Sequence, residues 1–233
     1  MMENIDVLVI FMGCFVGAIA ILCFISYLLI QKHTSENNNA SSKVVKYFTP
    51  YNEEEKFNIW HDIGSDRILP EDFIAVIEIG KGSKNKYELD KETGMLILDR
   101  VLYTSTHYPA NYGFIPRTYA GDDDPLDVLV LCSETIHPMS LVRCYPIGVM
   151  RMKDGDCIDD KIIAIPKNDP SWNHIKSIND LSKHIMDEIV HFYSVYKQLE
   201  HKQTTILSIL DTDDAKTIIA KAIKTYEITK NSK

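Results

Sequence analysis

The chain has 233 residues, of which 45% are hydrophobic and 25% are charged, enough for one sizeable core with an appendage. Its net charge is −8, which argues against a general nucleic-acid binder, because such proteins need a basic surface. The five cysteines form neither a disulfide framework nor a CxxC spacing, so we expect a reducing compartment.

An apolar stretch near the N-terminus predicts a membrane anchor. Residues 7–30 contain no charge, and as a helix they would span about 36 Å, enough to cross a bilayer. The acidic residues before this stretch and its length argue against a cleaved signal peptide. We therefore predict a transmembrane anchor over residues 1–33 that meets the lipid bilayer through residues 7–30. The lysines that follow it predict a single-pass membrane protein with its C-terminal body in the cytoplasm.

The rest of the chain is predicted to be a flexible linker, residues 34–43, and one domain, residues 44–233. The first half of this domain carries strand patterns at 73–79, 86–90, 95–100, 128–131, 140–152 and 161–165. Short strands broken by turn residues indicate a barrel or a strongly curved sheet. Residues 180–200 and 214–226 place apolar side chains at three- and four-residue steps, which predicts two amphipathic helices. Helices that follow strands are typical of the α+β class.

A cluster of carboxylates, GDDDPLD at residues 121–127, stands directly before one of these strands. Like charges packed so tightly repel one another, and a hard divalent cation such as Mg²⁺ would hold them together. A solvated acidic turn is the alternative, since Asp and Pro are ordinary turn residues. An EF-hand does not fit, because Asp127 stands where that loop needs glycine and Ser133 where it needs glutamate.

Other polar residues stand at element ends or share a strand face, and each of them alone is equally well explained as an exposed side chain. They are Glu78, Lys86, Glu88, Arg100, Asp154, Asp159, Lys161, Tyr196 and Lys197. Gathered with Asp122, Asp124 and Asp127, they would form a site with seven negative and four positive charges. Two or more Mg²⁺ ions would reverse that sign and admit a phosphate anion, so the metal would be part of the substrate site.

The segment GDDDPLDVLVL resembles the Asp-x-Asp-Pro-x-Asp-Val signature of the soluble (family I) inorganic pyrophosphatases, in their bacterial and organellar form. The likeness continues in the same order through LPEDFIAVIEI, KYELDKETGMLILDR, YPANYGFIP, VRCYPIGVMRMKD, DDKIIAIP and HFYSVYKQLE. The resemblance implies an OB-like closed β-barrel with flanking C-terminal helices, here preceded by the single transmembrane helix.

The resemblance also implies an activity: Mg²⁺-dependent hydrolysis of inorganic diphosphate to two phosphates, with several Mg²⁺ ions in the site. Asp122, Asp127, Asp154 and Asp159 match its metal ligands. Asp124 matches the carboxylate that takes the proton of the attacking water. Lys86, Arg100, Tyr112, Lys161, Tyr196 and Lys197 match residues that hold the phosphoryl groups. Glu78 and Glu88 match acids that line the cavity.

The chain departs from the family pattern in several places. Asp123 stands where the family often has glycine, and no role is assigned to it. After residue 200 the likeness fades. Bacterial relatives form hexamers, so a homo-oligomer is an open expectation here. The alternative function is a catalytically inactive pyrophosphatase-like scaffold tethered to the membrane; an OB-type nucleic-acid module is disfavoured by the acidic charge.

Overall fold

The computed structural model describes residues 25–29, 31, 57–121 and 124–231. It divides the chain into two units, Met1–Lys56 and Phe57–Lys233. In the first unit, residues 25–29 and 31 are helical. The second unit contains the sheets and helices that follow here. Residues 44–56 lie outside the described part, so the domain boundary at residue 44 stays a prediction.

The prediction of a single-pass membrane protein with a cytoplasmic body is wrong. Within the described ranges, no helix is both long enough and apolar enough to cross a bilayer. Most of the predicted span, residues 7–24 and 30, and the linker at 34–43 lie outside the described residues.

The described part of the second unit contains nine strands and two α-helices. The strands are β1 (Ile68–Leu69), β2 (Asp72–Ile79), β3 (Asn85–Leu89), β4 (Leu96–Val101), β5 (Asn111–Phe114), β6 (Asp127–Val130), β7 (Leu141–Asp154), β8 (Cys157–Pro166) and β9 (Thr204–Asp211). The α-helices are α1 (Lys183–Val195) and α2 (Thr212–Asn231), and short 3-10 turns occupy Ser65–Arg67, Ile178–Asp180 and Gln198–Glu200.

Five of the strands close into a ring. Around it, β2 pairs with β5, β5 with β6, β6 with β8, β8 with β7, and β7 with β2. The β6–β8 pair is parallel and the other four pairs are antiparallel. The length of β7 allows closure, because its first residues, 141–144, pair with β2 while residues 144–154 pair with β8. This ring is the closed barrel that the sequence predicts, and the β3–β4 hairpin forms a separate two-stranded sheet.

Two apolar clusters fill the space between the sheet and the helices. One contains Trp60 and the α2 residues Ile219 and Tyr226, and the other contains the α1 residues Phe192 and Tyr193. The two helices therefore cover different parts of the barrel. The strands themselves approach closely at β5, where a side chain on Gly113 would lie 1.8 Å from the carbonyl oxygen of Val76 in β2, so only glycine fits there.

The predicted strands and hairpin are present, and three further strands, β1, β5 and β9, escape the sequence patterns. β5 is short, and β9 alternates between exposed and half-buried residues at the sheet edge, with Leu207 exposed. The helix predicted over 180–200 is shorter, because 3-10 turns replace its two ends. Ser177 caps the first of these turns and accepts a hydrogen bond from the Asn179 N–H at 3.1 Å. The helix predicted over 214–226 extends from Thr212 to Asn231.

Candidate active site

One cavity of about 290 Å³ gathers most of the residues predicted for the site. Those on its wall are Glu78, Lys86, Glu88, Tyr112, Asp124, Asp127, Asp154, Asp159, Lys161, Tyr196 and Lys197. Arg100 is not on this wall. Asp122 and Asp123 lie outside the described residues, so the ligand role of Asp122 stays a prediction.

The barrel strands bring the central charges together by their register. The parallel β6–β8 pairing sets Asp127 opposite Lys161. Asp159 stands two residues before Lys161 on β8, so both side chains point to the same face. Asp127 begins β6 and Asp154 ends β7, which places their carboxylates where the sheet opens to solvent.

The ammonium group of Lys161 lies between two carboxylates. Its Nζ is 2.6 Å from Oδ2 of Asp127 and 2.9 Å from Oδ1 of Asp159. The rings of Tyr112 and Tyr193 each have their centroid 5.4 Å from this Nζ. Burial opposes the charge of Lys161, but Asp127 and Asp159 outweigh it and hold its pKa well above the usual value. Lys161 therefore stays protonated at neutral pH.

Two carboxyl groups on the wall are shifted towards their protonated form. Glu78 is 7% exposed, and its Oε1 accepts the Leu89 N–H at 2.8 Å. Burial and then the charge on Asp127 raise the pKa of Glu78 to about 8, so this carboxyl is largely neutral at pH 7. Burial also raises the pKa of Asp127 to about 6; Lys161 opposes the rise and Asp159 adds to it. Carboxylates crowded in this way gain stability from a bound cation.

The β3–β4 hairpin places a second set of charges at the cavity. Lys86 forms an ion pair with Glu88, and its Nζ lies 2.9 Å from Oδ2 of Asp99. Arg100 also pairs with Asp99, and its Nε donates to Oε1 of Glu200 at 2.9 Å. Its Nη2 is buried and has no hydrogen-bond partner in the described part of the chain. The guanidinium is held by two acids, Asp99 and Glu200, that the sequence patterns did not single out.

The end of α1 supplies the last two side chains. Tyr196 follows directly after the helix, is buried, and stacks on Phe192 with ring centroids 5.2 Å apart. Lys197 forms an ion pair with Asp154, and its Nζ lies 5.4 Å from the ring of Tyr196. Burial raises the pKa of Tyr196, so its phenol stays neutral and can donate a hydrogen bond at neutral pH.

Lys91 and Trp60 are among the wall residues that the sequence analysis missed. Lys91, in the turn of the hairpin, forms an ion pair with Asp124. Its Nζ lies 5.4 Å from the ring centroid of Trp60, which also lines the cavity. A lysine in a polar turn carries no local signal of such a contact. Trp60 precedes the segment that carries the family resemblance, and nothing in its neighbourhood points to the site.

The donor set fits a hard divalent cation. The acidic side chains of the wall offer carboxylate oxygens, and the wall contains neither cysteine nor histidine. Across the described ranges, no three acidic, histidine or cysteine side chains converge closely enough to hold a metal ion. Lys161 forms ion pairs with Asp127 and Asp159, and Lys197 forms one with Asp154. Metal binding would exchange these lysine contacts for cation contacts.

Comparison with known proteins identifies the family. The sequence model of the inorganic pyrophosphatase family matches residues 75–227. The chain is 44% identical over 168 residues to soluble inorganic pyrophosphatase 2 of Chlamydomonas reinhardtii, covering 72% of this chain and 88% of the relative. It is 47% identical over 152 residues to an inorganic pyrophosphatase of Nostoc, covering 65% and 90%. The Chlamydomonas relative is named as a soluble enzyme, in contrast to the membrane placement predicted above for this chain.

Solved structures agree. The inorganic pyrophosphatase of Helicobacter pylori superimposes with a TM-score of 0.67 at 43% identity, over 74% of this chain and 99% of that chain. The inorganic pyrophosphatase of Thermus thermophilus gives a TM-score of 0.71 at 35% identity, over 73% and 99%. Sequence and fold agree over most of the length of these proteins, and the chain therefore belongs to the inorganic pyrophosphatase family.

Proposed function

We propose that this cavity hydrolyses inorganic diphosphate to two phosphates, with Mg²⁺ as the activating cation. The observation that carries the proposal is the composition of its wall, where six carboxylates and four lysines face one space. With Glu78 neutral, five ionised carboxylates face four lysines, so the wall has a net charge of −1, which repels a free polyanion. Divalent cations reverse this sign, so the cavity is suited to an anionic substrate that arrives with metal.

The residues divide into three chemical roles. Asp127, Asp154 and Asp159, together with Asp122, would hold the metal ions through carboxylate oxygens. Bound Mg²⁺ lowers the pKa of a coordinated water and neutralises phosphate charge. Asp124 accepts the proton as the water oxygen attacks phosphorus and the bridging P–O bond breaks.

The positive and phenolic groups bind the two phosphoryl groups. Lys86, Lys161 and Lys197 offer positive charge on the cavity wall, and Tyr112 and Tyr196 offer hydroxyl groups. Negative charge develops on the departing phosphate, and fixed cations around it stabilise that charge without rearranging. Arg100 is not on this wall, so its contact with substrate stays a prediction.

An inactive scaffold with the same fold is the alternative function. The family membership and the filled acid, lysine and tyrosine positions favour the enzyme, because a scaffold has no use for a cavity crowded with opposed charges. The residue roles that matter most for this choice are those of Asp124 and Lys161.

Phosphate release from diphosphate by the full chain tests the proposal. With millimolar Mg²⁺ at neutral pH we expect multiple turnovers, and with excess chelator we expect release at the level of the blank, because the carboxylates alone repel the substrate. Release at the blank level with Mg²⁺ from folded protein would favour the scaffold. Equal release with chelator would show that the metal is not required.

A further inference from the structure

We propose that Lys91 is a positioning residue for Asp124: its ammonium group holds the carboxylate that accepts the proton and keeps it apart from the metal ligands. The inference rests on the proposed function and adds a residue to it. Lys91 lies in the turn between β3 and β4 and lines the same cavity as Asp124.

The ion pair itself indicates a role at the site. Lys91 Nζ pairs with Oδ1 of Asp124, although 52% of the lysine side chain and 50% of the aspartate side chain are exposed. Ion pairs this exposed contribute little to folding stability, since water screens them and ordering two side chains costs entropy. The contact therefore has its main consequence in the direction and charge of the Asp124 carboxylate.

Lys91 makes a second contact, a cation–π contact with the ring of Trp60. The Nζ of Lys91 lies 5.4 Å from the ring centroid of Trp60. Trp60 is 5% exposed, and its Nε1 donates to the carbonyl oxygen of Thr118 at 3.0 Å. The hydroxyl of Thr118 accepts the Leu126 N–H at 2.8 Å. Trp60 is therefore hydrogen-bonded to Thr118, which precedes Asp124 in the chain, and Thr118 is hydrogen-bonded to Leu126, which follows it.

The backbone of the turn is also well defined. The carboxylate of Asp90 accepts the Glu92 N–H at 3.2 Å and a hydrogen bond from the Thr93 hydroxyl. Gly94 donates its N–H to the Asp90 carbonyl oxygen at 2.8 Å and adopts φ +72°, which favours glycine. These hydrogen bonds hold the backbone of the turn in one conformation. The Lys91 side chain therefore extends to Asp124 from a fixed backbone position.

The chemistry of the site needs such a partner. Where several carboxylates compete for cations, an acid that must accept a proton cannot also be a firm metal ligand. A lysine that pairs with Oδ1 of Asp124 holds the direction of this carboxylate at the cavity wall. Loss of the lysine should therefore reduce the rate of the chemical step more than the binding of diphosphate.

The test compares Lys91→Met and Lys91→Arg in the full chain, with Lys81→Met as the matched control. Lys81 is an exposed lysine outside the cavity wall, so its substitution makes the same change in net charge. At saturating Mg²⁺ we expect Lys91→Met to lower kcat roughly 10- to 100-fold, as a misplaced catalytic group does. KM should change less than about threefold, Lys91→Arg should recover most of kcat, and Lys81→Met should match wild type.

A double mutant separates this role from direct substrate binding. In an Asp124→Asn background, whose low rate is measured at high enzyme concentration, Lys91→Met should lower kcat little further, because the partner has lost its function. An equal loss in both backgrounds, a rise in KM alone, or unchanged kcat in Lys91→Met would overturn the inference while the proposed function stands. If wild type itself releases no phosphate, both fall.

Discussion

We expect Asp124→Asn to retain the fold and to lose about 10²- to 10⁴-fold in kcat, the usual contribution of a positioned general base. The amide keeps the size of the side chain and can still accept a hydrogen bond from Lys91, but it cannot take the proton of the attacking water. The side chain is half exposed, so its replacement has little effect on packing. Phosphate release at saturating Mg²⁺, together with the urea midpoint, measures both parts of this expectation.

The matched control is Asp213→Asn in the first turn of α2, a side chain that is 97% exposed and lies outside the cavity wall. It removes the same charge and should leave kcat unchanged. Loss of a general base usually lowers the rate at least about 100-fold. If Asp124→Asn keeps more than about a tenth of the wild-type rate, another group accepts the proton. A lowered urea midpoint would instead show that the loop contributes to the fold.

The second large effect is expected at Lys161, which is 3% exposed and pairs with Asp127 and Asp159. Without metal, Lys161→Met leaves two crowded carboxylates without a cation, and breaking a buried pair in this way typically costs about 3–5 kcal/mol. Added Mg²⁺ should recover part of that free energy of unfolding, because a bound cation neutralises the same carboxylates. kcat should fall at least about 100-fold, since a preorganised charge at the phosphate is lost.

Urea unfolding with and without Mg²⁺ measures the first part, and phosphate release measures the second. Lys183→Met is the control: Lys183 is exposed on α1 and pairs with Asp187 one turn along, so its loss should change stability by less than about 0.5 kcal/mol. No recovery by Mg²⁺ would argue that metal does not bind at Asp127 and Asp159. Unchanged kcat would remove Lys161 from the substrate site.

The predicted strands were predictable because their signals are local, whereas the closed barrel was implied only by the family resemblance. Residues 73–79 form an apolar run between turn residues, and the hairpin has its glycine at the turn, so neighbouring residues alone specify these elements. Edge strand β9 was not predictable in the same way. Its half-exposed alternation of Thr, Ile, Leu and Ser is weak in sequence, and pairing with β7, at least 50 residues earlier, stabilises it.

The site was predictable from the family resemblance more than from the residues themselves. Eleven of the residues that the resemblance implies lie on the cavity wall; Arg100 does not, and Asp122 lies outside the described residues. Asp99 and Glu200 hold the guanidinium of Arg100, which is not on the cavity wall. Glu200 is 100 residues away from Arg100 in sequence, so no local pattern predicts this contact. The raised pKa of Glu78 likewise depends on its burial, which no sequence pattern around it reveals.

The membrane prediction failed for a different reason. A long apolar run satisfies a hydropathy criterion whatever structure it adopts, and such a run says nothing about the domain that follows it. Within the described residues, no helix is long and apolar enough to cross a bilayer. The fold and the relatives identify the family from the C-terminal unit alone.

The central claim is that metal ions convert a negative cavity into a receptor for diphosphate. Calorimetric titration of the full chain with imidodiphosphate, whose bridging P–N bond resists hydrolysis, tests this claim most directly. We predict binding in millimolar Mg²⁺ and no detectable heat of binding with chelator, where six carboxylates face the ligand with four lysines. Binding of equal affinity in Mg²⁺ and in chelator would contradict the account.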